Sequence, residues 1–212
     1  MSKIYLLNNQ KFDDVINLEV FKIDYIKKEL NLKNYDALVF TSKNAIFAID
    51  SFNDEWKDID SYVIAKKTAN IAKERGAKIS FVGSSGHGND FAYELINKLK
   101  NKKVLFLKAK KVVSNLVSIL KQNNIDIDEE AIYETKCNKN LEKIELEEKS
   151  IIIFTSPSCI ECFFKTYSWH ESFKAVVIGK TTAKYLPKSV EYYISEITSV
   201  DQCVKLAKSI KL

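Results

Sequence analysis

Short runs of β-branched and aromatic residues alternate along this chain with segments whose apolar positions recur every three to four residues. The extended runs cover residues 3–8, 15–23, 37–40, 61–65, 78–82, 103–108, 125–135, 150–154, 173–178 and 190–195. Helical periodicity predicts helices over 25–32, 44–52, 67–75, 90–101, 114–123, 141–148, 157–166, 181–186 and 200–210. Residues 83–89 form a Gly/Ser loop, a candidate mobile lid or a plain linker. Apolar strands alternating with amphipathic helices predict an α/β fold with parallel sheets covered on both faces.

The pattern repeats. Phe40-Thr41-Ser42 returns as Phe154-Thr155-Ser156, and Ile64-Ala65-Lys66-Lys67-Thr68-Ala69 returns as Ile178-Gly179-Lys180-Thr181-Thr182-Ala183, both after 114 positions. Two motifs at one offset, at equivalent places in the strand–helix order, predict two similar parallel-sheet α/β domains. The second copy ends without the strand that follows the first. Lys3-Ile4-Tyr5-Leu6-Leu7 resembles Lys103-Val104-Leu105-Phe106-Leu107 and is a candidate for the missing strand. One domain is then discontinuous, 1–18 plus 136–212, and the other continuous, 21–133. A two-stranded linker crosses near 18–23 and 132–137, and a hinged cleft there is a natural ligand site.

In parallel sheets ligands bind outside the carboxyl ends of the strands. The turns that fall there are rich in Ser, Thr, Gly and Lys: Thr41-Ser42-Lys43, Lys66-Lys67-Thr68, Lys108-Ala109-Lys110, Thr155-Ser156-Pro157-Ser158 and Lys180-Thr181-Thr182. Each Ser or Thr can act as a helix N-cap, contributing about 1 kcal/mol. The free N–H groups at the same termini also attract carboxylate or phosphate. A ligand bearing several anionic groups fits both.

Charge narrows the partners. The chain has 33 basic and 28 acidic residues, but Arg75 is its one arginine. A reader of DNA sequence relies on arginine forks, so nucleic acid is not expected as a partner. No apolar run reaches the about 18 residues of a membrane span. The apolar start is too short for a signal peptide, which predicts a cytoplasmic protein with four reduced cysteines. Cys159 and Cys162 have a redox spacing at a helix start, yet both also suit an amphipathic helix as small buried residues. His87 and His170 are isolated, and no zinc spacing occurs. The acidic run 126–130 reads as solvated surface.

The ordered set Phe40-Thr41-Ser42, Val104-Leu105-Phe106-Leu107, Ile132-Tyr133-Glu134-Thr135, Phe154-Thr155-Ser156-Pro157-Ser158 and Ile178-Gly179-Lys180-Thr181-Thr182-Ala183 resembles the uroporphyrinogen-III synthase family. That resemblance implies a monomeric, cofactor-free and metal-free lyase. Its substrate would be hydroxymethylbilane, a linear tetrapyrrole with eight carboxylates, closed with inversion of the last pyrrole ring and loss of water. It implies binding through main-chain amides and hydroxyls, with Tyr133 as the catalytic residue assisting departure of the hydroxyl. Thr41, Ser42, Thr68, Thr155, Ser156, Ser158, Thr181 and Thr182 match the substrate-binding turns. Ala65 stands where the family usually has Gly, and residues 8–14 are too few for the helix usual there. The alternatives are a non-catalytic two-lobed polyanion-binding module and a thiol oxidoreductase at Cys159 and Cys162.

Overall fold

In the computed structural model, which describes residues 2–211, the apolar runs assemble into two sheets. The chain divides into two compact units, residues 1–22 with 136–212, and residues 23–135.

The continuous unit runs through β4 (Ala37–Phe40), α1 (Lys43–Asp50), β5 (Asp60–Val63), α2 (Lys66–Glu74), β6 (Ile79–Val82), α3 (Gly88–Leu95), β7 (Lys103–Ala109), α4 (Leu116–Gln122) and β8 (Asp126–Cys137). With β3 (Phe21–Tyr25) these strands form one sheet in the order β3-β8-β7-β4-β5-β6. Pairing is parallel from β8 through β6.

The discontinuous unit contains β1 (Ile4–Leu7), β2 (Ile16–Asn17), β9 (Ile151–Phe154), α5 (Pro157–Thr166), β10 (Lys174–Val177), α6 (Lys180–Ala183), β11 (Tyr192–Ile194) and α7 (Val200–Ser209). Its sheet is parallel throughout, in the order β11-β10-β9-β1-β2. The N-terminal strand thus pairs with β9, as β7 pairs with β4 in the other sheet.

The central strands are continuous apolar runs because both faces are covered. In β9 all four residues are buried. Ile152 and Phe154 pack with Tyr5 and Leu7 on one face. Ile151 and Ile153 pack with Ile4 and Leu6 beneath α7 on the other. The same alternation divides Leu38, Phe40, Leu105 and Leu107 from Ala37, Val39, Val104 and Phe106.

Three expectations are corrected. Residues 25–32 do not form the expected helix: Ile26 N–H donates to Ile132 O at 2.8 Å, holding the chain beside β8, and only Leu32 enters a short 3-10 turn, Leu32–Asn34. Residues 141–148 are not helical either. Leu141 and Leu146 are the residues that reach the core, and five positions apart they lie on different faces of a helix. Glu147 N–H donates to the Tyr5 hydroxyl and Glu147 O accepts from Ser150 Oγ, satisfying the backbone without a helix. Finally, the four cysteines are not all thiols. Cys137, at the end of β8, is bonded to Cys162 on the inner face of α5, with Cα atoms 5.0 Å apart. Folding brings the two sulfurs together within one apolar cluster.

Candidate functional site

The carboxyl ends of the strands place the predicted site residues at one edge of each sheet, and the two units are described separately.

In the continuous unit, Thr41 and Ser42 follow β4. Ser42 is extended (φ −153°, ψ 142°) and caps α1, its Oγ accepting from Asn44 N–H at 3.2 Å. Thr68 is buried in the first turn of α2, on the face it shares with Ala69 and Ala72. Tyr133 arrives from β8. A register shift after Lys108 sets Tyr133 opposite Ala109, and Lys110 N–H donates to Tyr133 O at 2.9 Å. Tyr133 is 6% exposed and packed in the cluster of Phe40 and Leu107. Burial raises its pKa above the ordinary 10.0, and the Ser42 hydroxyl opposes that rise in part. Tyr133 is therefore a neutral phenol at physiological pH, suited to donating a hydrogen bond.

The basic turn after β7 is less positive than its sequence suggests. Lys108 pairs with Glu129 at 3.1 Å and Lys110 with Glu134 at 3.4 Å, both from β8. Loop 83–88 is fastened at both ends. Ser84 N–H and Oγ donate to the Glu94 carboxylate at 3.1 and 2.6 Å. A Cβ on Gly83 would lie 2.6 Å from Ile64 O, and one on Gly88 2.6 Å from Ser114.

In the discontinuous unit, Thr155, Ser156 and Ser158 lie between β9 and the first turn of α5. Ser156 caps that helix, accepting from Cys159 N–H at 3.3 Å, and its Oγ lies 3.1 Å from Ser158 Oγ. Thr155 Oγ1 donates to Leu7 O at 3.0 Å and accepts from Asn8 Nδ2 at 3.2 Å. Thr182 is buried in α6 and Thr181 is exposed. Gly179, before α6, has extended backbone (φ 175°), and a Cβ there would meet Thr198 at an ordinary 3.7 Å. Alanine at the equivalent residue 65 needs no backbone change.

Sequence reasoning missed Asn8, Gln10 and Asn17. Asn8 Oδ1 accepts from Gln10 N–H at 3.0 Å, and Asn17 Nδ2 donates to Gln10 O at 2.9 Å. Together they hold the chain after β1 against the Thr155 corner. The signal was the polar run Asn8-Asn9-Gln10 where an apolar strand stops.

The thiol alternative loses its pair. Cys162 is bonded to Cys137, while Cys159 is fully buried, donates to Ser156 O at 2.9 Å, and has its thiol pKa pushed up by burial. A buried, undissociated thiol is inert. Among the described residues no group of three or more His, Cys, Asp or Glu could hold a metal ion, and no helix is long and apolar enough to cross a membrane.

Comparison with known proteins extends the resemblance. The family model for uroporphyrinogen-III synthase HemD matches residues 16–205. The porphyrin biosynthesis protein HemD of Ruminiclostridium josui is 30% identical over 192 residues, covering 82% of this chain and 38% of that protein. The chain therefore spans well under half the length of this curated relative. The crystal structure of uroporphyrinogen-III synthetase from Helicobacter pylori 26695 is 29% identical and matches 100% of both chains with a TM-score of 0.87. A mutant uroporphyrinogen III synthase from the extremely thermophilic bacterium Thermus thermophilus, 12% identical over 98% of each chain with a TM-score of 0.57, shares the fold.

Proposed function

We propose that the chain, which belongs to the uroporphyrinogen-III synthase family, is itself a lyase that closes hydroxymethylbilane to uroporphyrinogen III, inverting the last pyrrole ring and releasing water. The observation that carries this reading is the match to the Helicobacter pylori enzyme over the whole of both chains.

The chemistry asked of the protein is limited, because the pyrroles supply the nucleophile and stabilise the cation left when the hydroxyl departs. Tyr133 donates its phenolic proton in a hydrogen bond to that leaving hydroxyl. A neutral, buried phenol is matched to this task, since it assists departure without placing a fixed charge beside the forming cation. Thr41, Ser42, Thr68, Thr155, Ser156, Ser158, Thr181 and Thr182, with the amides beside them, bind the substrate carboxylates. Helix N-termini offer partial positive charge to carboxylates without arginine forks. That agrees with a chain whose one guanidinium is engaged by Asp50 at 2.9 Å. Holding the bilane in one folded geometry favours closure with inversion over the simpler head-to-tail closure.

We assign the reaction to a single copy of the chain in the cytoplasm, with no nucleic acid and no cofactor. The test is a coupled assay. Freshly generated hydroxymethylbilane is supplied to the purified chain, and the oxidised products are separated into inverted and uninverted isomers. The expected product is the inverted macrocycle. Tight binding with only the uninverted ring formed would leave the polyanion-binding module as the better reading.

A further inference from the structure

We propose that Asn8 is a substrate-binding residue of the discontinuous unit, its side-chain amide donating to a substrate carboxylate, and that Thr155 is the positioning residue that aims it. The proposal rests on the reaction proposed above and changes the part played by Thr155, from a carboxylate contact to an orienting group.

Strand order marks the place. In the sheet β11-β10-β9-β1-β2 the chain leaves β1 toward β2 and leaves β9 toward β10, in opposite directions. Open parallel sheets bind ligands in the crevice outside the carboxyl ends of two such strands. Leu7 and Phe154 are the last residues of β1 and β9 and stand opposite each other. Asn8 and Thr155 come next in the chain and flank that crevice.

Hydrogen-bond accounting then separates the two. A threonine hydroxyl has one hydrogen. Thr155 Oγ1 gives it to Leu7 O at 3.0 Å and accepts from Asn8 Nδ2 at 3.2 Å. No donor is left for a carboxylate, which only accepts. Asn8 has one to spare. Its Oδ1 accepts from Gln10 N–H at 3.0 Å, which settles the orientation of the amide, because a backbone N–H only donates. One Nδ2 hydrogen goes to Thr155. The other has no protein partner among the described residues, and Asn8 is partly exposed. Asn17 steadies the loop from β2, its Nδ2 donating to Asn8 O at 2.5 Å and to Gln10 O at 2.9 Å. A donor held in place before the ligand arrives loses little freedom on binding.

The internal repeat supplies a control. Leu107 faces Phe40 in the continuous unit as Leu7 faces Phe154. Lys108 therefore occupies the position of Asn8, and Glu129 pairs with it at 3.1 Å. One corner offsets its cation with an acid. The other keeps a neutral donor with no acid bonded to it.

The test measures kcat and KM in the coupled isomer assay for Asn8→Ala, Asn8→Asp, Thr155→Val and Thr155→Ser, and for Asn8→Ala combined with Thr155→Val. Asn8→Ala should raise KM about tenfold with kcat nearly kept, the worth of one hydrogen bond to a charged acceptor. Asn8→Asp, equal in size, should raise KM about a hundredfold, because like charges brought together cost more than a hydrogen bond lost. Thr155→Val should raise KM about threefold by releasing the amide, and Thr155→Ser should recover most of that loss. Added to Asn8→Ala, Thr155→Val should cost less than about twofold more, because coupled groups are not additive. Side-chain amide NMR of the nitrogen-labelled parent follows binding directly. Titration with uroporphyrin III, the oxidised product, should shift one Asn8 Nδ2 proton signal more than the other. Unchanged KM in both Asn8 variants, or Asn8 signals that stay still throughout the titration, overturns the proposal and leaves Asn8 a structural tie. Full additivity with Thr155→Val overturns the positioning role of Thr155. Failure to form the inverted macrocycle overturns the reaction itself, and the titration then still decides whether Asn8 takes a carboxylate.

Discussion

Ser42 and Ser156 stand at equivalent corners of the two units, and the strands around them are laid out alike. Ile64 N–H donates to Phe40 O at 3.0 Å, and Ile178 N–H to Phe154 O at the same distance. Gly83 N–H donates to Val63 O at 2.8 Å, and Ser195 N–H to Val177 O at 2.9 Å. The units part company beyond these central strands. One extends its edge through the twelve-residue β8 and brings Tyr133 to the corner. The other has a two-residue β2, fills its corner with Asn8 and Asn17, and ties α5 to Cys137 through a disulfide. Identical central registers with unlike edges mean that the doubly buried strands carry the fold, and the edges are where the two units differ.

That contrast can be broken at several points. The largest effect expected is on stability. Cys137→Ser opens a cross-link spanning 25 residues, which should cost the discontinuous unit about 3–4 kcal/mol. Trp169 packs in that unit and Trp56 is buried in the other. Urea titration of single-tryptophan variants should show the Trp169 transition moving to lower urea while the Trp56 transition stays.

Tyr133→Phe is expected to lower turnover about a hundredfold, or about 2.7 kcal/mol, with the fold intact. The coupled isomer assay measures it, and turnover within twofold of the parent would remove Tyr133 from the mechanism.

A third test compares the glycines. Gly83→Ala forces a methyl against Ile64 O and Phe91 and should cost about 1–3 kcal/mol. Gly179→Ala meets only ordinary contact and should stay within about 0.5 kcal/mol of the parent. Chemical denaturation distinguishes the two, and equal losses would contradict the packing described.

Thr182→Ala removes one buried hydroxyl from the α6 corner. It should weaken binding by about 1 kcal/mol, a fivefold rise in KM with kcat nearly kept.

A further effect is alkaline. Burial raises the Cys203 pKa from 9.0 to about 11, so the folded state holds its proton longer than the unfolded chain does. The stability this contributes is complete below pH 9 and is lost as pH rises from 9 toward 11. Tyr133, raised above 10.0, behaves alike at higher pH. Cys203→Ala should flatten the loss of stability between pH 9 and 11, as followed by thermal melting at stepped pH.

The legible parts of this protein share a physical cause. Residues 37–40 and 151–154 are recognisable as strands because burial on both faces demands unbroken apolar runs. Helix α5 has the bounds expected because Ser156-Pro157 is a start signal that acts locally. The misread segments, 25–32 and 141–148, mix charge with apolar residues at loosely helical spacing. Their backbones bond to distant partners instead, Ile132 and Tyr5 among them.

The amino-acid order by itself determined the α/β class, the repeated corners and the family, since each is written in local periodicity or in matched motifs. Only the tertiary structure decided that Cys162 bonds Cys137 rather than lying free near Cys159, that Glu129 and Glu134 neutralise two rim lysines, and that Tyr133 is buried beside Phe40 and Leu107. Those contacts join residues far apart in the chain. Their existence depends on strand order and register, which no local pattern encodes.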